Sequence, residues 1–321
     1  YLTLDSAKAC LERGESVRSF SRGDYPELSA LGVETRRGDL ADRSAVEGAC
    51  EGMDAVFHVG AKAGIWGADE EYRLANIEDT RNVLEACRKA GVRKLVFTSS
   101  PSVVFGGGDL EGVDESIPYP DHYEAAYPRT KAEAERMVLS ANGPQQLTTA
   151  LRPHLIWGPG DNHLVPRLVA RSRSGALRRI SGPTRRVDST YIDNAVDAHL
   201  QALDRLSSPQ SPPAGKAYFI AQDEPMPLWE LIDRILEAAG EPPVRRSISP
   251  GAAYAAGCAL EALYRLLGLE GEPRMTRFLA HELCTAHWFD LSAARRDLGY
   301  RPRVSVAEGL ERLKESLKVR T

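Results

Sequence analysis

Short apolar runs that alternate with amphipathic segments constrain this chain more than any other feature. Val17-Arg-Ser-Phe20, Ala55-Val-Phe-His58 and Lys94-Leu-Val-Phe-Thr98 have the length and the β-branched or aromatic content of strands. Ser44 to Cys50 and Tyr72 to Ala90 carry helical patterning between them, and Leu147-Thr-Thr-Ala-Leu151 supplies a further strand. Parallel strands must be joined by crossovers, which helices provide. The alternation therefore predicts an α/β fold, a doubly wound parallel sheet of Rossmann type with helices on both faces. Beyond Arg152 it gives way to loops rich in Gly and Pro and then to several helices. We expect a first region over 1–152. A second, over 153–321, would partly complete the sheet and mostly form a smaller, mainly helical lobe.

The 321 residues suffice for one large domain or two. A net charge of −4 argues against a nucleic-acid surface or a polybasic membrane anchor. Cys10, Cys50, Cys87, Cys258 and Cys284 are scattered with no Cys-x-x-Cys pair, so neither a zinc site nor a disulfide framework is indicated, and a reducing cytoplasm fits. No cluster of His and carboxylates has metal-ligand spacing, and none of them is expected to bind metal. Ala252 to Gly268 is the most apolar stretch, but Glu261 and Arg265 interrupt it. It reads as a helix packed on the protein body, or as an interfacial helix beside an apolar entrance.

Chemistry enters at Tyr127-Pro-Arg-Thr-Lys131. Good helix formers follow, up to Asn142-Gly143, and Pro128 costs little in a first turn. Residues i and i+4 share a helix face, so the phenol and the ammonium can address one spot. A nearby positive charge is expected to lower the tyrosine pKa, which suits a general acid/base acting at a carbonyl or alcohol oxygen.

Open parallel sheets bind ligands beyond the C-terminal ends of their strands. Ser21 and Arg22 follow the strand ending at Phe20, and a hydroxyl followed by Arg suits the 2′-phosphate of NADP. Gly38-Asp39-Leu40 follows the next strand, where Asp39 could accept from an adenine amino group or cap a helix. A Gly-rich turn would precede all of this, yet the chain opens Tyr1-Leu-Thr-Leu-Asp5 on what reads as the helix after such a turn. The expectation is a truncated N-terminus without its first strand, and weak binding of NADPH by the chain as it stands.

With these residues in place, the chain resembles the extended short-chain dehydrogenases/reductases, in their 3β-hydroxysteroid dehydrogenase-like branch. The resemblance runs through Val56-Phe-His58, Asn76 with Asn82-Val-Leu84, and Thr98-Ser-Ser-Pro-Ser-Val-Val-Phe-Gly106. It continues through Leu151-Arg-Pro153, Ile156-Trp-Gly-Pro-Gly-Asp161, Tyr191-Ile-Asp-Asn194 and Leu298-Gly-Tyr300. Arg22-Gly-Asp-Tyr-Pro26, Ala61-Lys-Ala-Gly-Ile-Trp-Gly67 and Cys284-Thr-Ala-His-Trp288 are similar to the bacterial 2-alkyl-3-oxoalkanoate reductases of olefin biosynthesis.

That resemblance implies Tyr127 as proton donor and Lys131 as its partner on the nicotinamide ribose. Ser100 would hold the substrate oxygen, with Ser99 and Ser102 as neighbouring alternatives. Ser21, Arg22, Asp39, Leu40, Gly60, Ala61, Lys62, Asn76 and Pro153 would line the cofactor together with Tyr127 and Lys131. NADP(H) is the expected cofactor and NAD(H) the alternative. The activity implied is reduction of a hydrophobic β-keto small molecule, a 2-alkyl-3-oxoalkanoate, to its 3-hydroxy acid. Its rivals are a 3β-hydroxysteroid or sterol-4α-carboxylate 3-dehydrogenase and a non-catalytic, cofactor-poor binding protein. A homodimer and a peripheral contact with a membrane or with olefin-pathway enzymes complete the expectations.

Overall fold

The computed structural model describes residues 2–318; Tyr1 and the last three positions of the second region lie outside them. Six strands build the frame: β1 (Arg18–Ser21), β2 (Glu34–Arg37), β3 (Ala55–His58), β4 (Lys94–Thr98), β5 (Leu147–Pro153) and β6 (Ala217–Ile220). Every pairing among them is parallel. β1 pairs with β2, and separately β3, β4, β5 and β6 lie in that order in one sheet. Among the described residues no strand pairs with the second edge of β1 or of β3.

The expected strands form within a residue or two of their sequence positions. β5 is buried along its whole length, as a strand covered on both faces should be, and runs two residues past Leu151 to Pro153. β6 comes from beyond Arg152 and closes the sheet beside β5, with Ala217 opposite Ala150 and Ile220 opposite Pro153. The six helices that matter below are α1 (Leu2–Glu12), α2 (Asp79–Ala90), α3 (Ala126–Ser140), α4 (Ile192–Arg205), α5 (Pro250–Leu267) and α6 (Arg277–Cys284).

Tyr72 to Ala90 is not one uniform helix. A short α turn, Asp69–Tyr72, passes into a π segment, Arg73–Glu78, and only then into α2. π segments inside helices occur often at functional sites, and this one carries Asn76. α2 stops at Gly91, which takes the left-handed conformation (φ 74°) that suits glycine at a helix end.

An ion pair fastens α3 to the sheet. Arg152 on β5 and Glu135 on α3 have side chains only 4% and 0% exposed and meet through contacts of 2.6, 3.0 and 3.2 Å. The Tyr119 hydroxyl donates to the same carboxylate at 2.6 Å.

In the second lobe the apolar segment is α5, started by Ser249, whose side chain accepts from Ala252 N, and ended by Gly268 (φ 59°). Glu261 does not interrupt it idly: its carboxylate is buried and accepts from the Arg277 backbone N–H (2.7 Å) and Nε (3.0 Å). Among the described residues no helix is long and apolar enough to cross a membrane. α5 comes close to the start of α6 at Gly257, where a Cβ would lie 2.7 Å from the Thr276 carbonyl carbon and 2.8 Å from the Arg277 nitrogen. Backbone cannot yield as a side-chain tip does. Gly257→Ala should therefore cost about 1–3 kcal/mol, the usual range for overpacking, read as a lowered melting temperature. An unchanged melting temperature would show that the two helices can part freely.

Candidate active site

β4 ends at Thr98 and leads into Ser99, Ser100 and a 3₁₀ turn over Pro101–Val104. The Ser100 hydroxyl accepts from Ser102 N (3.2 Å), lies 2.9 Å from the Ser102 hydroxyl and is near enough to the Tyr127 phenol to lower its pKa. Ser99 points elsewhere, its hydroxyl buried without a hydrogen-bond partner. Of the three serines weighed from sequence, Ser100 is the one that meets Tyr127.

α3 delivers Tyr127 and Lys131 from its first two turns. Lys131 Nζ donates to the Thr98 carbonyl at 2.6 Å and sits 4.0 Å from the centre of the Phe97 ring. Burial pushes its pKa down to about 7, while the Glu135 carboxylate one turn on pulls the other way. Tyr127 departs from the sequence expectation. Its pKa is raised, not lowered: burial dominates, the Ser100 hydrogen bond lowers it, and the Glu282 carboxylate adds to the rise. The Lys131 ammonium is itself desolvated and spent on Thr98, so the chain alone holds the phenol neutral.

Around this trio the remaining predicted residues take different positions. Asn76 is buried and fully engaged by the protein: Oδ1 accepts from Lys62 N (2.7 Å), and Nδ2 donates to Lys62 O (3.2 Å) and to the Thr130 hydroxyl (3.0 Å). It thereby ties the loop after β3 to α3, one residue from Lys131. Gly60 and Ala61 lie exposed on that loop. A Cβ at Gly60 would stand 2.9 Å from Leu40 Cδ1, whose side-chain tip would have to swing aside. Leu40 O accepts from Asn82 Nδ2 at 2.8 Å. Pro153 ends β5 and is buried.

At the end of β1, Ser21 Oγ donates to Gly23 O (3.1 Å), and Arg22 extends into solvent with its side chain 82% exposed. Arg37 holds this loop through Nε to Arg22 O at 3.1 Å. Asp39 faces Arg22 at 3.9 Å and accepts from Ala41 N at 3.0 Å. It leaves the helix cap to Asp42, which accepts from Ser44 and Ala45. Asp79, at the start of α2, is pushed up to about 6 by burial and by Asp39.

His58 is buried against Thr80 (Nε2 to Oγ1, 2.9 Å) and packs on Phe97, so it is a core histidine; burial and Lys131 push its pKa down to about 3. Among the described residues no group of His, Cys, Asp or Glu could hold a metal ion.

Sequence reading missed Glu282. It lies on α6, more than 150 positions from Tyr127, and no local motif marks it. A cavity of about 890 Å³ lies between residues 179–185, residues 227–241 and the end of α6. Ile180, Leu228, Trp229 and Leu283 line it together with charged side chains such as Arg179, Asp233 and Glu237, but none of Tyr127, Ser100 or Lys131 does.

A doubly wound sheet with a Ser/Tyr/Lys cluster at its strand ends defines a short-chain dehydrogenase/reductase. The family model described as "3-beta hydroxysteroid dehydrogenase/isomerase family" matches residues 11–248, and the chain belongs to that family of NAD(P)-dependent oxidoreductases. It is 50% identical over 311 residues to the 2-alkyl-3-oxoalkanoate reductase of Stenotrophomonas maltophilia, covering 96% of this chain and 94% of that protein. Against the enzyme of the same description from Shewanella oneidensis the identity is 46%, over 95% and 80% of the two chains. Mouse sterol-4-alpha-carboxylate 3-dehydrogenase, decarboxylating, is 35% identical over 98% of this chain and 88% of its own. Among solved structures, a UDP-glucuronic acid 4-epimerase from Bacillus cereus superposes with a TM-score of 0.74 at 20% identity, covering 100% of this chain and 97% of that one. That likeness speaks for the fold.

Proposed function

We propose that this chain reduces a hydrophobic β-keto acid, a 2-alkyl-3-oxoalkanoate, to the 3-hydroxy acid at the expense of NADPH. The observation that carries the chemistry is the convergence of Ser100, Tyr127 and Lys131 at the end of β4, where Lys131 Nζ bonds the Thr98 carbonyl and Ser100 lies close enough to act on the phenol. The substrate class rests on the 50% identical reductase.

The residues present fit a dinucleotide. Lys131 and the open Gly60–Ala61 loop, held by Asn76, would take the nicotinamide ribose, and Pro153 would border it. Ser21 and Arg22 would take the adenosine ribose, with Asp39 and Leu40 beside the adenine. The bound dinucleotide supplies the hydride for the carbonyl carbon. Tyr127 gives its hydroxyl proton to the carbonyl oxygen, and Ser100 donates a hydrogen bond to that oxygen as negative charge develops. Lys131 favours the phenolate left behind, and Glu135 favours a charged Lys131. The exposed Leu266 and Leu267 at the end of α5 support a peripheral contact with the lipid surface into which such a substrate partitions.

Turnover of NADPH with a 2-alkyl-3-oxo acid tests this reading. Activity confined to 3β-hydroxysteroids would overturn it in favour of the steroid dehydrogenases of the same family. For cofactor choice, the exposed guanidinium of Arg22 is the group placed to meet a 2′-phosphate. Arg22→Ala should weaken NADPH binding by about 1.5–3 kcal/mol, the range for a hydrogen bond to a charged group, and leave NADH nearly unchanged. Equal losses for both cofactors, measured by calorimetry, would make Arg22 a loop support.

A further inference from the structure

We propose that Glu282 is a substrate-binding residue, whose carboxyl group donates a hydrogen bond to the carboxylate of the β-keto acid beside the carbonyl held by Tyr127 and Ser100. The inference rests on the β-keto acid reading given above and names the recognition of its acid group.

α6 is fastened on both sides of the reacting centre. His281 Nδ1 lies 2.8 Å from Glu124 Oε2 on the segment that leads into α3. Phe278 packs edge-on against Phe105, which follows the 3₁₀ turn begun at Ser100, with ring centres 5.8 Å apart. A helix held in this way presents Glu282 to a fixed place, and its charge acts on Tyr127. Yet Glu282 makes no hydrogen bond or ion pair with any described residue. Glu282 is half-buried, and partial removal of a carboxylate from water without a partner already disfavours its ionised form. Its pKa is pushed up to about 7 by burial alone.

A neutral carboxyl is a donor, whereas an ionised one only accepts. In a β-keto acid the carboxylate is two carbons from the keto carbon, so its oxygens fall within a few ångströms of the carbonyl oxygen. A residue next to Tyr127 is therefore correctly placed to meet them. Lys131, the buried cation on α3, is already bonded to Thr98 and stands behind the phenol. A bound carboxylate would further favour the protonated form of Glu282, which strengthens the donor that binds it.

The test compares wild type, Glu282→Gln and Glu282→Met on a 2-alkyl-3-oxo acid and on its methyl ester. The Met variant removes the donor but keeps the bulk; any change it makes at Tyr127 falls on both substrates, so the ratio of KM for the acid to KM for the ester should rise about tenfold or more. The Gln variant keeps a neutral donor, and its KM for the acid should stay within about threefold of wild type at pH 6. In the wild type that KM should climb as pH passes about 7, where ionised Glu282 repels the substrate, and this rise should vanish in Gln. The other titrating or charged groups facing this place are Tyr127 and Lys131 from α3, the Glu124–His281 pair, and Cys284 with Arg185 beyond it. The Gln variant retains all of them, so the difference belongs to Glu282. Equal losses on acid and ester, or a pH rise that persists in Gln, would overturn the proposal. A wild type inactive on both compounds would overturn the β-keto acid reading itself and this inference with it.

Discussion

Tyr127→Phe should cut turnover of a β-keto acid by about 10²–10⁴-fold, the span commonly contributed by a positioned general acid. The substitution keeps the ring and its packing and removes only the hydroxyl on which Ser100 acts. Ser100 retains its contacts with Ser102, so no buried polar group is stranded and the melting temperature should stay close to wild type. The size of the loss follows from the protonation state. Burial and the Glu282 carboxylate hold the phenol in its neutral, proton-bearing form at neutral pH, and Ser100 aligns it. Steady-state kinetics together with a thermal melt decide the matter. Wild-type-like kcat in a folded Phe variant would remove Tyr127 from the chemistry, whereas lost activity with a collapsed melt would make it structural.

The positions of Tyr127 and Lys131 were legible because they obey a local rule. Both fall on one helix, and the i, i+4 spacing fixes their relation before any tertiary contact forms. β3, β4 and the helix up to Cys50 were equally local, since apolar runs and helical patterning announce them, whereas the capping aspartate is Asp42 and not Asp39. β6 was not announced. Ala217-Tyr-Phe-Ile220 is too short to distinguish from loop by pattern, and it becomes a strand because β5 offers it an edge.

The chemistry of the site was less legible than its membership. Sequence spacing led to an acidified Tyr127, but the shift depends on which effect dominates, and only the fold sets the burial. The same holds for Asn76. A sequence match places it near the cofactor, but its amide is consumed by Lys62 and Thr130, so the residue shapes the loop from inside. Glu282 lay furthest from view, because nothing short of the docking of α6 brings it to Tyr127.

Glu135→Ala is expected to cost about 3–5 kcal/mol of stability, the range for removing one partner of a buried ion pair. It deletes the carboxylate that hydrogen-bonds Arg152, whose side chain is 4% exposed and whose Nη1 already lacks a partner, and leaves only the more distant Glu115 to offset the charge. The Tyr119 hydroxyl loses its acceptor as well. Denaturant midpoints would show the change, with an unaltered slope if the unfolded state is unaffected. Glu135→Leu combined with Arg152→Met removes both charges, and most of the stability should return, since an apolar replacement of a buried pair is often neutral. Function should not return with it. Glu135 is the group that raises the Lys131 pKa against burial, so without it Lys131 falls below about 7. A lysine with a depressed pKa is charged only below that value. The variant should therefore lose activity at neutral pH, and the high-pH limb of its rate profile should move to lower pH. A double variant with restored stability and a wild-type pH profile would separate the two roles and leave Glu135 as a structural anchor alone. A single Ala variant with the wild-type midpoint would mean that Arg152 finds water or another acceptor when its partner is gone.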